Sequence, residues 1–228
     1  MIPEYSSSVF VALDVPTPQQ AVELARVLKP HVGGFKIGLE LFCSCGPRIV
    51  ETIGAPDVFL DLKLHDIPNT VASTSRVLAR LGVKIFNVHC LGGREMMKRA
   101  GEFAREENPE VKIIGVTILT SHDAASLSAL GLNEEPETAV LRLAQLAQQS
   151  GMDGVVCSPH EIEKVRAACG EDFLIVTPGI RPANAELADQ KRVLTPREAL
   201  GKGASWIVVG RPITAATDPA RAAQTLFD

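Results

Sequence analysis

FLDLKLHDIPNT (59–70) places Asp61, Lys63 and Asp66 in an otherwise apolar, strand-like run. Successive side chains of a strand point to opposite faces, so Val58, Leu60, Leu62 and Leu64 share one side and Phe59, Asp61 and Lys63 the other. One face is apolar and the other ionic. Pro68 cannot donate to a ladder and biases Ile67 away from helical backbone, so Asp66 falls just past the strand's C-terminal end. In a central strand Asp61 and Lys63 would be buried, and buried ions are tolerated mainly when paired and hydrogen-bonded. The pair is either a structural salt bridge inside a barrel or part of a site.

The pattern of a short apolar run followed by a helical stretch repeats on both sides. Upstream lie VFVALDV (9–15), with Thr17-Pro18-Gln19-Gln20 as a helix start, and FKIGL (35–39), leading to a helix expected from near Gly46-Pro47. Downstream, VASTSRVLARLG (71–82) shows an apolar face at helical spacing. Further runs are VKIFNVH (83–89), VKIIGVTIL (111–119), GVVC (154–157), FLIVT (173–177) and WIVV (206–209). Helices are expected over REMMKRAGEFAREE (94–107) and ETAVLRLAQLAQQSG (137–151). Others should start at Ser158-Pro159-His160-Glu161 and Thr195-Pro196-Arg197-Glu198, both capping-box signatures, and at Asp218-Pro219. Eight strands alternating with helices imply parallel pairing through right-handed crossovers. In 228 residues this repeat points to a single-domain α/β (β/α)8 TIM barrel over 1–228. An open doubly wound sheet stays possible if one run is miscounted.

The chain is 46% hydrophobic and 22% charged, enough to bury a large core, and its net charge of −4 argues against nucleic acid as a partner. No apolar run approaches the roughly 18 residues needed to cross a bilayer, and MIPEYSSS lacks the basic region and apolar core of a signal peptide. The five cysteines (Cys43, Cys45, Cys90, Cys157, Cys169) are scattered and read as reduced thiols, with no zinc-type spacing. A free-standing cytoplasmic protein without membrane contact is expected.

The active site of such a barrel lies at the C-terminal ends of its strands. The polar residues there are Asp14, Lys36 between Gly34 and Gly38, Asp61, Lys63 and Asp66, His89, Thr120 and Ser121, Arg181 and Arg211. Singly, each has a structural alternative: Asp14 as a turn residue, His89 as a hydrogen-bonded core imidazole, Thr120-Ser121 as a loop cap. Together, two lysines and three carboxylates within or just past the first three strands are an inefficient way to stabilise a core, because apolar replacements often do as well. The loops TPGIR (177–181) and VGRP (209–212) follow the seventh and eighth strands, where barrels often bind phosphate. Glycine lets backbone amides approach an anion, and arginine offers a planar fork of donors. The polar stretch PANAELADQKRVL (182–194) is long enough to fold over such an anion as a lid, with Gln190 as a neutral donor.

FLDLKLHDIPNT, preceded by ALDV (12–15) and FKIGLELF (35–42) and followed by NVHCLGG (87–93), TILTS (117–121), VTPGIRP (176–182), ADQKR (188–192) and IVVGRPIT (207–214), resembles the bacterial orotidine 5'-phosphate decarboxylases over nearly the whole chain. The resemblance implies a (β/α)8 homodimer that converts orotidine 5'-monophosphate to UMP and carbon dioxide, the last step of de novo UMP synthesis, with no metal and no organic cofactor. It implies a charged tetrad of Lys36, Asp61, Lys63 and Asp66, with Lys63 as proton donor to C6 and with Asp66 and Thr70 reaching the partner's site. Asp14 and Lys36 would hold ribose hydroxyls, Thr120 would lie near the pyrimidine, and Arg181, Gln190, Gly210 and Arg211 would hold the phosphate. Ile67, Ser121 and Pro178 complete the implied binding set.

Two rival readings share parts of this pattern. Magnesium-dependent sugar-phosphate decarboxylases and synthases share the Asp-x-Lys-x-x-Asp core but use a second-strand carboxylate for the metal, where Lys36 would repel a divalent cation. A non-catalytic nucleotide-binding barrel would be indicated by a missing tetrad residue, and each position holds the required type.

Overall fold

Each of the eight apolar runs forms a strand. The computed structural model describes residues 5–54, 57–182 and 194–228. Its strands are β1 (Val9–Ala12), β2 (Gly34–Gly38), β3 (Val58–Leu64), β4 (Ile85–His89), β5 (Lys112–Val116), β6 (Gly154–Val156), β7 (Leu174–Thr177) and β8 (Trp206–Val209). They pair in parallel in sequence order and close into a barrel through β8 and β1. The single (β/α)8 barrel expected from the alternating runs is the fold.

Burial divides the strand residues into two sets by alternation. Val9, Val11, Phe35, Ile37, Leu60, Phe86 and Val88 join the large cluster that packs strands against helices. Phe10, Ala12, Phe59, Ile85, Ile114, Val176 and Val208 form a second cluster inside the barrel, with Trp206 against it. Phe10 packs edge-on to both Phe59 and Trp206, at centroid distances of 6.0 and 5.9 Å. These rings fill the lower interior, and the next layer up the strands is smaller and polar. Ala12 pairs with Lys36, and Gly38 with Asp61.

Helix starts follow the sequence closely where a side chain caps them. Thr17 accepts from the Gln20 N–H ahead of the helix Pro18–Leu28. Thr195 and Glu198 form a complete capping box on the helix Pro196–Gly201, and Asp218 caps Pro219–Gln224. The helices Pro68–Arg80, Gly93–Glu107 and Pro136–Gln149 lie where the periodicity predicts them.

Three local expectations are corrected. The helix expected near Gly46-Pro47 is present, with Pro47 as its N-cap, but it is not the first after β2. A helix already runs over Leu39–Cys45 and ends at Gly46, whose φ of 67° is left-handed, and a second begins at Arg48. Ser158 caps a single 3-10 turn, Pro159–Glu161, rather than a capping box, by accepting from the His160 N–H. Finally, β3 is not regularly paired along its length. Its register with β4 runs from Leu60↔Phe86 to Leu64↔Val88, so four steps on one strand oppose two on the other.

Candidate active site

The β3 irregularity lies at the ionic face. Between Leu60 and Leu64 the pairing with β4 is irregular, and Lys63 has a φ of 52°, the single left-handed non-glycine among the described residues. Such backbone costs on the order of 1 kcal/mol or more and persists only where the surroundings impose it. Asn87 on β4 does so here. Its side-chain oxygen accepts the Lys63 backbone N–H at 2.7 Å, and its amide nitrogen donates to Asp61 Oδ1 at 2.7 Å. Simple strand alternation therefore gives the correct side for Asp61 and Lys63 but not the backbone that aims them.

Lys36 is 8% exposed, and its Nζ donates to Asp14 Oδ1 at 2.9 Å and lies 3.4 Å from Asp61 Oδ2. Lys63 Nζ donates to Asp61 Oδ1 at 2.6 Å. Asp14, Lys36, Asp61 and Lys63 thus form a contact chain of alternating sign. Gly38 gives it room, since a Cβ there would stand 2.8 Å from Asp14 Oδ1 and 3.2 Å from Lys36 Nζ. Burial is the largest single influence on Asp61 and opposes its ionisation. The charges of Lys36 and Lys63 and hydrogen bonds from Lys63 and Asn87 outweigh it together, and hold the carboxyl below the usual range.

These groups line a cavity of about 430 Å³ at the C-terminal mouth of the barrel, within the size range of small-molecule sites. Thr120, Pro178, Gly179, Arg181, Gly210 and Arg211 line it as well. Gly179 has a φ of 79°, the left-handed conformation for which glycine is suited, and Arg181 is 7% exposed. Apart from Phe59, which shares the face of Asp61 and Lys63, the apolar part of the wall was not anticipated from the sequence: Val116, Ile118, Val156, Val176 and Val208. The inward register of Val116, Val156, Val176 and Val208 near the ends of their strands is the signal that could have found them. Asn87 was also missed, although an asparagine in the middle of an apolar strand is a buried polar group that needs partners.

Asp66, Ile67, Thr70 and Ser121 do not line this cavity and are exposed, Ile67 to 67%. Asp66 Oδ1 accepts its neighbour's N–H, from Ile67, at 2.6 Å. Gln190 and most of the stretch expected to act as a lid lie outside the described residues. Arg181, just before that stretch, donates its N–H to the carbonyl of Leu194, the last residue of the stretch, at 3.1 Å. His89 is partly buried, stacks on His65 at 5.3 Å, and accepts the Leu91 N–H through Nδ1. Burial, then the charges of His65, Lys63 and His122, push its pKa down to about 4. Among the described residues, no cluster of three or more His, Cys, Asp or Glu could hold a metal ion, and no helix is long and apolar enough to cross a membrane.

The model of the orotidine 5'-phosphate decarboxylase / HUMPS family matches residues 7–226. An orotidine 5'-phosphate decarboxylase of Trichlorobacter lovleyi is 51% identical over 230 residues, spanning 99% of this chain and 95% of the relative. One of Geotalea daltonii is 50% identical, spanning 98% and 95%. Among solved structures, the crystal structure of orotidine 5'-phosphate decarboxylase from Lactobacillus acidophilus superposes with a TM-score of 0.85 at 40% identity, covering 96% of each chain.

Proposed function

The chain belongs to the orotidine 5'-phosphate decarboxylase / HUMPS family, and on that premise we propose that it converts orotidine 5'-monophosphate to UMP and carbon dioxide without metal or organic cofactor, as the last step of de novo UMP synthesis. It is an enzyme, a carboxy-lyase. One observation carries the finer reading: the Asp14–Lys36–Asp61–Lys63 contact chain and the two arginines of the β7 and β8 loops line a single cavity. A nucleotide would put its phosphate at Arg181 and Arg211, its ribose at Asp14 and Lys36, and its pyrimidine near Thr120.

In this reading the bond between C6 and the carboxyl carbon breaks, the electron pair stays on C6, and carbon dioxide leaves. Lys63 Nζ stabilises that pair, transfers a proton to C6 and regains one from water. Asp61 faces the substrate carboxylate. Two like charges about 4 Å apart repel by roughly 4 kcal/mol at an effective dielectric near 20, a useful contribution and a small share of the acceleration enzymes achieve. The rest falls to ammonium groups already oriented when charge develops at C6, and to binding energy drawn from the remote phosphate.

Asp66 and Thr70 face outward, which supports a homodimer in which they complete the partner's site. Exposed Leu39, Ile67 and Leu91, on segments following β2, β3 and β4, offer that face apolar surface. The five cysteines are free thiols, which supports a reducing cytoplasmic setting. Against a magnesium-dependent sugar-phosphate reaction stands Lys36, whose ammonium occupies the space between Asp14 and Asp61 where a cation would need carboxylates.

The test is the ultraviolet absorbance change of orotidine 5'-monophosphate added to chelator-treated enzyme. Decay to UMP is expected. Lys63→Ala should abolish it while UMP still binds. No decay by the wild type, or wild-type turnover by Lys63→Ala, would refute the proposal.

A further inference from the structure

Asn87 is fully buried at the upper interior of the barrel, where polar groups are costly unless their hydrogen bonds are met. It shares the inward face of β4 with Ile85, and both ends of its amide point at β3. A backbone N–H can only donate and an ionised carboxylate can only accept. The orientation of the amide is therefore set by its partners, with oxygen toward Lys63 and nitrogen toward Asp61. The ladder would ordinarily hold this part of β3, but the ladder is broken between Leu60 and Leu64. Asn87 stands in for it.

We infer that Asn87 is a positioning residue for the decarboxylation. It holds Lys63 in its left-handed backbone and fixes the Asp61 oxygen that Lys63 Nζ also contacts, so that ammonium and carboxylate meet the reacting carbon at one geometry. The inference rests on the proposed reaction. It concerns how the pair is aimed, not its chemistry. One asparagine side chain bridges a backbone atom of the proton donor and a side-chain atom of its partner. Displacement of either group therefore moves the other.

Asn87→Asp and Asn87→Leu separate this role from simple stability. The aspartate keeps an oxygen for the Lys63 N–H but sets a second carboxylate against Asp61. The titratable groups on its own and neighbouring strands are Lys36 on β2, Asp61 and Lys63 on β3, and His89 two residues along β4, the last of these neutral until about pH 4; β5 presents Ile114 and Val116 to the interior. Two carboxylates sharing a site raise one pKa, and the protonated form recovers a donor to Asp61. The expected result is a kcat loss on the order of 10²-fold for Asn87→Asp near neutral pH, as for a lost charge-assisted hydrogen bond. The ratio of variant to wild-type kcat should then climb about tenfold as the medium is acidified toward the pKa of the shared proton. UMP affinity should stay within about threefold, because the phosphate contacts are elsewhere. Asn87→Leu should lose kcat without recovery at any pH, and its crystal structure should show Lys63 out of the left-handed region. A variant-to-wild-type ratio that is flat with pH, an Asn87→Leu enzyme with wild-type kcat, or an unchanged Lys63 backbone would overturn the inference. So would an Asn87→Asp enzyme unable to fold, since the role would then be structural. If the wild type does not decarboxylate the substrate, the proposed reaction fails by itself, and the Lys63 conformation in Asn87→Leu still decides the positioning role.

Discussion

Replacing Lys36 by methionine removes one ammonium from the contact chain while keeping most of the side chain's volume. At 3.4 Å from Asp61 Oδ2, its direct attraction is about 5 kcal/mol at an effective dielectric near 20. Desolvation of the ammonium offsets much of this, and Asp61 keeps its contacts with Lys63 and Asn87. The contact with Asp14 adds little, because that side chain is 60% exposed. A net destabilisation of roughly 2–3 kcal/mol near neutral pH is expected, below the 3–5 found when a fully buried pair is broken.

The sign of the pH dependence makes the test specific. In the wild type the Asp61 pKa is depressed, so its contribution is present above the unfolded-state value and is lost as the pH falls through the lower folded value. Lys36 is the largest of the influences lowering it. Without Lys36 the carboxyl moves up, the folded variant takes up protons earlier than the wild type, and the stability gap narrows on acidification. Urea unfolding of both proteins at one fixed protein concentration, near neutral pH and below the ordinary aspartate value of 3.8, measures the gap. A gap that is constant or wider at the lower pH would refute the charge reasoning, as would a methionine variant more stable than the wild type.

Arg211→Ala should weaken UMP binding by about 2–3 kcal/mol and leave uridine binding unchanged; calorimetric titration of both ligands checks this, and equal losses would remove the phosphate assignment. Gly38→Ala places a Cβ 2.8 Å from Asp14 Oδ1, so Asp14 must swing away from Lys36. KM should rise several-fold with a smaller change in kcat, and an unaltered KM would show that Asp14 does not bind the ribose. His89 is neutral in the folded protein until about pH 4, whereas an unfolded histidine protonates near pH 6.5. Stability is therefore complete above about pH 6.5 and declines as the pH falls toward 4, by on the order of 1–2 kcal/mol after allowance for partial exposure. His89→Gln should flatten that part of the unfolding profile, and an unchanged slope would locate the protonation elsewhere.

The barrel was legible because its determinants are local. Short apolar runs rich in valine and isoleucine define the strands, and Thr17-Pro18, Thr195-Pro196 and Asp218-Pro219 cap helices with their own side chains. The helix Leu39–Cys45 was not, because its N-cap is Gly38, which has no side chain to announce it. Its leucines and phenylalanine continue the apolar run of β2 without a break. Among the site residues, the charged groups Asp14, Lys36, Asp61, Lys63, Arg181 and Arg211 line the cavity, and His89 at the end of β4 does not. Asp66, Ile67, Thr70 and Ser121 are exposed and do not line it, because a residue's type does not fix which way its loop faces. Least legible was the aim of Lys63. It depends on a contact 24 residues away in sequence, which neither period two nor the identity of Lys63 implies.

The contact chain has a consequence for catalysis that its residues taken singly do not. Asp14 and Asp61 balance Lys36 and Lys63, so the array can be partly buried without a large uncompensated charge. The substrate's carboxylate would add a negative charge beside Asp61. An ordinary buried aspartate would relieve the repulsion by taking up a proton, as paired carboxylates do. Asp61 is held ionised by both lysines and by Asn87, so that escape costs more here than at an unassisted carboxyl. In the proposed reaction the remaining relief would be loss of carbon dioxide, which removes the added charge from Asp61 and moves the electron pair to C6, beside Lys63. In the proposed reaction the lysines would thus act before the bond breaks, by keeping Asp61 charged, as well as after it. Asp61→Asn should accordingly bind the substrate at least as tightly as the wild type and turn it over far more slowly, a split that steady-state and single-turnover kinetics resolve. Weaker binding with unchanged kcat would mean that Asp61 holds the substrate and does not stress it.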